Sequence, residues 1–236
     1  MCAIFLRAEQ STKTQKDVEN MSKFKYIMWD WNGTILDDLN ANFETINRLL
    51  SDRNLPPMAS IEQYRDLFDF PVIGFYEKTG FDLENEKFQD IARDYVREYY
   101  GRFFECDIFP EAEKVLRYVL STGREQLIVS ATEQESLLKQ VEEFGIDHLF
   151  TEILGMSDIY ARSKVELAER WIREKGVNPS EVLFIGDTTH DKEVADSIGC
   201  KCILISSGHN SKERLLFTGC DVFESISDVI SFLEEN

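Results

Sequence analysis

The sequence contains little cysteine and little proline. Its 236 residues include five cysteines and five prolines, and no two cysteines have the Cys-x-x-Cys spacing. A small, odd number of cysteines without that spacing does not fit a disulfide framework or a structural zinc site. We therefore expect a protein of a reducing compartment, the cytoplasm, in which Cys200 and Cys202 are ordinary strand residues.

Positive charge is also scarce. Lysine and arginine total 26 against 44 acidic residues, so the formal net charge is -18. Such a chain repels phosphate backbones and anionic lipid surfaces, which argues against nucleic acid and membranes as partners. The first ten residues lack the basic start and the long apolar segment of a signal peptide. Residues 1–22 are predicted to be a polar extension, and the sequence leaves the oligomeric state open.

Apolar runs alternate with helical patterns along most of the chain. Four near-continuous apolar runs predict strands that are covered on both faces, at residues 25–30, 126–131, 181–187 and 201–207. Two helix starts have the capping-box pattern, Thr132 with Glu135 and Ser163 with Glu166, and Gly199 follows an expected helix end. The alternation predicts an α/β fold with a doubly wound, Rossmann-like parallel sheet.

One interval breaks this alternation. Residues 39–109 show only helical signals, including a capping box at Ser60 with Gln63 and a helical segment from Pro71 to Gly80. Aromatic residues at helical spacing in this interval are expected mainly to form its own core. We therefore predict an α/β core at residues 23–38 and 110–236, with an inserted helical cap at residues 39–109.

Polar side chains stand where three of the predicted strands end. Asp30, Ser130 and Asp187 occupy these positions. Ligands of open parallel sheets bind at the carboxyl ends of the strands, so the three side chains are expected to converge. Each alone has an ordinary explanation as a turn or cap residue. Lys164 lies near a helix start, and Asp191 follows Asp187 by four residues. Together with the strand-end residues they form a set of polar side chains that separate turn and cap roles do not explain.

Four segments now show a resemblance. DWNGTILDD (30–38), LIVSA (127–131), SKVELAERW (163–171) and VLFIGDTTHDKEVADSIG (182–199) resemble the four motifs of the haloacid dehalogenase-like superfamily of phosphohydrolases. They occur in the family order, and the resemblance extends over nearly the whole chain from about residue 22. The insertion after the first motif resembles the small helical cap of phosphoglycolate phosphatase-like members.

The resemblance implies a Mg²⁺-dependent phosphatase that acts on a small phosphorylated metabolite, such as phosphoglycolate or a sugar phosphate. Asp30 would be the nucleophile and form an aspartyl-phosphate. Mg²⁺ would be held by four groups: Asp30, the backbone carbonyl of Asn32, Asp187 and Asp191. Contacts with the phosphate are implied for five residues: Gly33, Thr34, Ser130, Ala131 and Lys164.

Asn32 departs from the family pattern. Phosphatases of the family usually have a second aspartate here, which protonates the leaving group and activates the water, and an amide does neither. Two alternatives therefore stay open beside the phosphatase. One is a carbon–phosphorus hydrolase or phosphotransferase, in which Lys78 or Lys87 would be the candidate Schiff-base lysine. The other is a phosphometabolite-binding protein without turnover.

Ordinary roles are expected for the remaining polar residues of interest. Asp37 and Asp38 are expected to cap the first helix of the insertion. Arg65 could bind a substrate carboxylate, although a surface position is preferred. The histidines are expected to be exposed, with His190 in a loop nearest the site and the other two on the surface: His148, His190 and His209.

Overall fold

The structure is a computed structural model that describes residues 23–160 and 164–236. The predicted extension at residues 1–22 and the predicted helix cap at Ser163 lie outside the described residues. The strands are β1 (Tyr26–Trp29), β2 (Leu36–Asp37), β3 (Asp107–Ile108), β4 (Glu125–Glu133), β5 (Glu152–Met156), β6 (Val182–Gly186), β7 (Lys201–Ile205) and β8 (Asp221–Phe223). The helices are α1 (Leu39–Asp52), α2 (Ile61–Leu67), α3 (Val72–Thr79), α4 (Phe88–Arg102), α5 (Ala112–Ser121), α6 (Gln134–Glu143), α7 (Val165–Lys175), α8 (Thr189–Ile198), α9 (Lys212–Leu216) and α10 (Asp228–Glu235).

Six strands form one parallel sheet in the order β5-β4-β1-β6-β7-β8. The four predicted strands are confirmed as β1, β4, β6 and β7. The apolar runs did not reveal β5 and β8, which lie at the two edges of the sheet. Edge strands are covered less completely, and β8 has only three residues, so neither has the continuous apolar run that marks the central strands.

Both faces of the sheet are covered by helices. Alternate residues of β1 point to opposite faces, so Ile27 and Trp29 join the cluster under α5, α6 and α10, and Met28 joins the cluster under α7, α8 and α9. Every one of these three side chains is fully buried. The doubly wound α/β fold predicted from the sequence is thus confirmed. Among the described helices, none is both long enough and apolar enough to cross a membrane.

The segment between β2 and β3 contains α1 to α4 and has a hydrophobic cluster of its own. As predicted, several of its aromatic side chains form this cluster, including Tyr64, Phe75, Tyr76 and Phe81. The prediction of helix as far as residue 109 is wrong at its end, because β3 pairs antiparallel with β2 through Leu36 and Ile108. β2 and β3 flank the helices and pair with each other in a separate two-stranded sheet. The chain therefore enters and leaves the helical segment at one place. This arrangement supports the predicted division into a core and a cap.

Four of the predicted helix boundaries are correct and one is wrong. Ser60 Oγ accepts a hydrogen bond from the backbone N–H of Gln63, and α8 ends at Gly199 in a left-handed conformation. The segment from Pro71 to Gly80 forms α3, with these two residues as its caps. Thr132, however, does not cap α6, because β4 continues to Glu133. The Glu133 carboxylate accepts hydrogen bonds from the backbone N–H groups of Glu135 and Ser136 and is the cap of this helix.

Two arginines attach the helical segment to the core. The Arg65 guanidinium donates to the backbone carbonyls of Ser207 and Gly208, at 2.6 and 2.8 Å. Arg214 of α9 donates in the opposite direction, to carbonyls at the end of α2 that include Phe68. Arg65 is half-buried, and its guanidinium connects the two parts of the chain. These contacts fix α2 above the loop that follows β7.

Candidate active site

Three carboxylates meet where β1 and β6 end. Asp30 directly follows β1, Asp187 directly follows β6, and Asp191 lies in the first turn of α8. All three are buried, and one oxygen of each lies within 4.8 Å of the others. β1 and β6 are neighbours in register, with Trp29 opposite Ile185. Because their carboxyl ends lie at the same edge of the sheet, Asp30 and Asp187 come together as the sequence predicted. We call this place the carboxyl edge.

Lys164 lies inside this acidic group. Its ammonium nitrogen is 2.5 Å from Asp30 Oδ1 and 2.6 Å from Asp191 Oδ1, and the residue is only 2% exposed. The expectation that Lys164 begins a helix needs a small correction, since α7 begins at Val165 and Lys164 occupies the preceding N-cap position without a side-chain cap. One buried cation therefore faces two of the three carboxylates directly.

The charges of the site are not balanced by this lysine. Burial, with the nearby charges of Asp191 and Asp187, raises the pKa of Asp30 well above its usual value, although Lys164 opposes the shift. Burial also raises the pKa of Asp187 to about 6. Asp191 differs, because the charge of Lys164 and hydrogen bonds from Lys164 and Thr188 outweigh burial and hold its pKa below the usual value. A further cation at this place would stabilise the ionised carboxylates.

Asp191 and Asp187 are both held rigidly. Asp191 Oδ2 accepts hydrogen bonds from the backbone N–H groups of Asp187 and Thr188, at 3.0 and 2.8 Å, and completes a capping box at the start of α8. Asp187 accepts from Thr34 Oγ1 at 2.9 Å and from the backbone N–H of His209 at 2.6 Å. The buried Thr34 thus orients a carboxylate, and its predicted contact with phosphate stays a prediction.

Gly33 lets the chain pass close to Asp187. Its φ is +74°, a left-handed conformation, and a Cβ built on it would lie 2.3 Å from Asp187 Oδ2. No side chain larger than hydrogen fits there without displacing that carboxylate. The predicted contact of Gly33 with phosphate stays a prediction.

Ser130 and Ala131 lie on β4, beside β1. Ser130 is fully buried, and its Oγ accepts a hydrogen bond from the backbone N–H of Thr132 at 3.1 Å. Ala131 and Thr132 line the cavity described below, in contact with the space above Asp30. The predicted hydrogen bond from Ser130 to a phosphoryl oxygen stays a prediction.

Asn32 is held in one orientation by its neighbours. Its Oδ1 accepts from Thr132 Oγ1 at 2.7 Å, and its Nδ2 donates to Asp38 Oδ2 at 2.7 Å and lies 3.3 Å from the Tyr99 hydroxyl. Both ends of the amide therefore have partners. A side chain fixed in this way orients its neighbours, but as an amide it neither gives nor takes a proton.

Asp38 and His209 form a buried ion pair that the sequence did not reveal. His209 Nε2 lies 3.1 Å from Asp38 Oδ1, and its Nδ1 lies 3.0 Å from the Tyr64 hydroxyl. Burial alone would lower the pKa of His209, but the charge and hydrogen bond of Asp38, with Asp187 and Asp30, raise it to about 9. The prediction of a surface position for His209 is wrong, since the residue is 3% exposed. Its loop follows the carboxyl end of β7, and that position was the signal available in the sequence.

Two other expectations need correction. Asp38 occupies the N-cap position of α1, but its side chain makes no capping hydrogen bond and instead accepts from Asn32, Asn42 and Tyr99. His190 is not an exposed loop residue, because it lies in the first turn of α8, is 5% exposed and stacks on Phe70 at 4.8 Å between ring centroids. His148 is exposed, as expected.

A cavity of about 140 Å³ lies above Asp30, between the carboxyl edge and helices α1 to α4. Asp30, Asn32, Lys164 and His209 form part of its floor, and most of its wall comes from aromatic rings of the helical segment. A ligand with one end at Asp30 would thus have its other end among these rings.

Comparison with known proteins places this arrangement in a family. A family model of haloacid dehalogenase-like hydrolases matches residues 27–205. The chain belongs to this family, and the predicted resemblance is confirmed.

Relatives of nearly equal length are phosphatases. The chain is 25% identical over 226 residues to a phosphoglycolate phosphatase of Pasteurella multocida, and the alignment covers 91% of this chain and 100% of the relative. It is 24% identical over 224 residues to a phosphoglycolate phosphatase of Haemophilus influenzae, with 90% and 99% covered. The predicted enzyme class, a phosphoric monoester hydrolase of the haloacid dehalogenase type, agrees with these relatives.

Solved structures share the fold. A haloacid dehalogenase-like hydrolase from Streptococcus pneumoniae superposes with a TM-score of 0.77 at 19% identity, over 89% of this chain and 98% of the other. A predicted phosphoglycolate phosphatase from Haemophilus somnus superposes with a TM-score of 0.72 at 22% identity, over 90% and 99%.

A matched pair of glycine variants tests the close approach at Gly33. Gly33 and Gly219 both have a φ of 74°, but no atom lies within 4 Å of a Cβ built on Gly219. Gly219→Ala should lose about 1–2 kcal/mol of unfolding free energy through backbone strain alone. Gly33→Ala should lose about 1–3 kcal/mol more, because its methyl group displaces Asp187. Urea unfolding of both variants measures the difference. Equal losses would show that the close approach to Asp187 does not require glycine at position 33.

A second prediction concerns the Asp38–His209 pair. Asp38→Asn and His209→Gln should each lose about 3–5 kcal/mol of unfolding free energy, because each leaves one buried charge without its partner. The double variant should lose less than the sum of the two. Additive losses in this double-mutant cycle would mean that the two side chains do not interact.

The same pair predicts a dependence on pH. The pKa of His209 is raised from 6.5 to about 9, so its stabilising contribution is full below pH 6.5 and is lost as the pH rises through about 9. Between these values, unfolding free energy should fall more in the unmodified protein than in His209→Gln. Urea unfolding at intervals across this range provides the measurement, and parallel curves would contradict a charged His209.

Proposed function

We propose that this protein is a Mg²⁺-dependent phosphatase that hydrolyses a small phosphate monoester through an aspartyl-phosphate on Asp30. The observation that carries the proposal is the buried group of Asp30, Asp187 and Asp191 with Lys164 in contact with two of them. The proposal assigns to these residues the roles of nucleophile, metal ligands and cation for the phosphate. The phosphatases among its relatives support the same reaction.

The residues at the carboxyl edge fit a magnesium ion. Mg²⁺ prefers oxygen ligands and takes one or two carboxylates together with water and phosphate oxygens. Each oxygen of Asp187 accepts one hydrogen bond and keeps a second lone pair for a cation. We propose that Asp30, Asp187, Asp191 and the backbone carbonyl of Asn32 hold the ion. When bound, Mg²⁺ would withdraw charge from the phosphoryl oxygens and weaken the repulsion between them and Asp30.

The chemistry of the chain itself proceeds in two displacements. The carboxylate of Asp30 attacks phosphorus, and the bond between phosphorus and the leaving-group oxygen breaks with its electron pair on that oxygen. Lys164 offsets the negative charge that collects between Asp30 and the phosphate. Water then attacks phosphorus, the bond between phosphorus and the Asp30 oxygen breaks with its electron pair on that oxygen, and a proton of the water passes to solvent, so inorganic phosphate leaves and the Asp30 carboxylate is restored. We propose that Ser130, Gly33, Thr34 and Ala131 form the remaining phosphate environment.

Asn32 affects both displacements. The fixed amide gives no proton to the leaving group in the first and takes none from water in the second. A slow second displacement would let the aspartyl-phosphate accumulate, and this favours transfer of the phosphoryl group to another acceptor as the alternative function. A Schiff-base mechanism has less support, because neither Lys78 nor Lys87 is among the described residues that line the cavity, and Lys78 pairs with Asp69 at 2.9 Å.

Variants of two carboxylates and removal of the metal test the mechanism. Asp30→Asn and an excess of EDTA should each abolish phosphate release from a screen of phosphorylated metabolites, with phosphoglycolate as the first compound. Asp187→Ala should also weaken Mg²⁺ binding, measured by calorimetry, because it removes one ligand. Glu213→Gln, at an exposed position of α9, is a suitable control with unchanged release. Full activity in EDTA would contradict the proposal.

A further prediction concerns the missing acid. Asn32→Asp places a carboxyl group 2.7 Å from Asp38 Oδ2, where the neighbouring charge favours its protonated form. Turnover of alkyl phosphates should rise by up to roughly the 10²–10⁴-fold of general acid catalysis, and aryl phosphates should gain less. A rapid-quench burst of aspartyl-phosphate, expected in the unmodified protein, should shrink in the variant.

Two controls accompany this experiment. Asn32→Ala removes the amide without adding an acid and should give no gain in turnover. Intact-mass measurement detects deamidation at the Asn32-Gly33 bond, which would create the acid in some molecules of the unmodified protein. If Asn32→Asp changes neither the alkyl-phosphate rate nor the burst, another group already supplies the proton.

A further inference from the structure

The wall of the cavity above Asp30 is mainly aromatic. Nine of the described residues that line it carry aromatic rings other than imidazole: Tyr64, Phe68, Phe70, Phe75, Tyr76, Phe88, Tyr95, Tyr99 and Tyr100. Several aliphatic side chains, among them Ile46, Val72 and Val96, complete the wall. A small, highly charged metabolite gains little from such a surface, whereas a ring gains free energy by leaving water.

The tyrosine hydroxyls do not make this wall polar, because several of them already have partners. The Tyr64 hydroxyl is paired with His209 Nδ1 and the Tyr99 hydroxyl donates to Asp38, while the Tyr95 hydroxyl donates to Asn42. These three tyrosines line the cavity while their hydroxyls are engaged elsewhere. Three of the five lining tyrosines therefore contribute ring surface without a free hydroxyl group.

The cations of the cavity are already paired with carboxylates. Among the described lining residues, the cationic side chains are Lys164 and His209. Lys164 contacts Asp30 and Asp191, and His209 contacts Asp38. A carboxylate on the substrate, such as that of phosphoglycolate, would thus enter an apolar space without a free cation to neutralise it. Burial of an unpaired charge is strongly unfavourable.

One neutral donor is available instead. Gln140 is buried and lines the cavity, its Oε1 accepts from Trp31 Nε1 at 2.8 Å, and its Nε2 has no hydrogen-bond partner among the described residues. A buried amide N–H without a partner can donate to an acceptor atom of a ligand, but it carries no charge and cannot neutralise a carboxylate. Polar recognition in this cavity therefore suits an uncharged group.

From these observations we infer that the substrate is a phosphate monoester with an uncharged aromatic leaving group. This inference rests on the proposed function and names the class of substrate for the same site. It also agrees with Asn32: an aryl oxygen keeps the electron pair of the broken phosphorus–oxygen bond and takes its proton from solvent afterwards, so it departs without a general acid. The aromatic wall and the missing acid thus favour the same leaving group.

Binding is tested separately from turnover with two phosphonates, which carry a phosphonate group in place of the phosphate ester. Benzylphosphonate carries a ring and phosphonoacetate carries a carboxylate. Calorimetry with the full chain in Mg²⁺ should show benzylphosphonate binding about 10- to 100-fold more tightly, the ratio expected for burial of one ring. Equal affinity, or tighter binding of phosphonoacetate, would overturn the inference.

Turnover is compared across phenyl phosphate, benzyl phosphate and phosphoglycolate. The specificity constant kcat/KM should be highest for phenyl phosphate and lowest for phosphoglycolate. If phosphoglycolate has the highest kcat/KM of the three compounds, the inference is overturned and the proposed phosphatase function stands. If no compound is hydrolysed but benzylphosphonate binds more tightly, the proposed function fails while the recognition of an aromatic group stands.

Two neighbouring residues of α3 provide matched variants. Val72 lines the cavity, whereas Ile73 is exposed and is not among the described lining residues. Val72→Lys adds a cation to the cavity and should shift the affinity ratio toward phosphonoacetate by about tenfold or more. Ile73→Lys adds the same charge outside and should leave the ratio unchanged. Thermal unfolding of both variants confirms that they fold, and an equal shift in both would overturn the assignment of this cavity to the leaving group.

Discussion

The rest of the site depends on the crowding of three buried carboxylates at one edge of the sheet. Parallel strands bring their carboxyl ends together, so side chains that are far apart in sequence, such as Asp30 and Asp187, meet there. Like charges at such distances in a buried place are unfavourable unless cations or hydrogen-bond donors stabilise them. Lys164 provides one cation, Thr34 and the backbone of the β7–α9 loop provide donors, and the remaining charge is what makes the place suitable for a metal ion.

A second network surrounds the position where the family usually has its acid. The carboxylate in this region belongs to Asp38 rather than to residue 32, and the charge of His209 and the hydroxyl of Tyr99 stabilise it. The same charge and hydrogen bonds hold the pKa of Asp38 below its usual value against the effect of burial. A carboxylate stabilised in its ionised form is a poor proton donor, so the network orients Asn32 without replacing the acid. The proposed chemistry at Asp30 would then need a leaving group that departs without a general acid.

The helical segment bounds the cavity, whereas the three carboxylates of the carboxyl edge belong to the core. It has a hydrophobic cluster of its own and is attached to the core through Arg65, Arg214 and the contacts of His209 with Tyr64. Since α2 is fixed above the β7–α9 loop, the aromatic rings of the segment lie over Asp30 and bound the space that a substrate would occupy. The composition of this wall is the basis of the proposed preference for an aromatic leaving group.

The sequence by itself determined the central strands, the doubly wound sheet, the helical insertion and the convergence of Asp30 with Asp187. These features follow from local patterns, namely continuous apolar runs and polar residues at strand ends, which the chain carries in consecutive positions. Tertiary structure alone decided that His209 and His190 are buried, that Asp38 pairs with His209 instead of capping α1, and that Arg65 joins two parts of the chain. A polar residue in a loop has no periodic pattern that reports its burial. Its surroundings come from residues as distant as the 171 positions between Asp38 and His209, and only the folded chain brings such residues into contact.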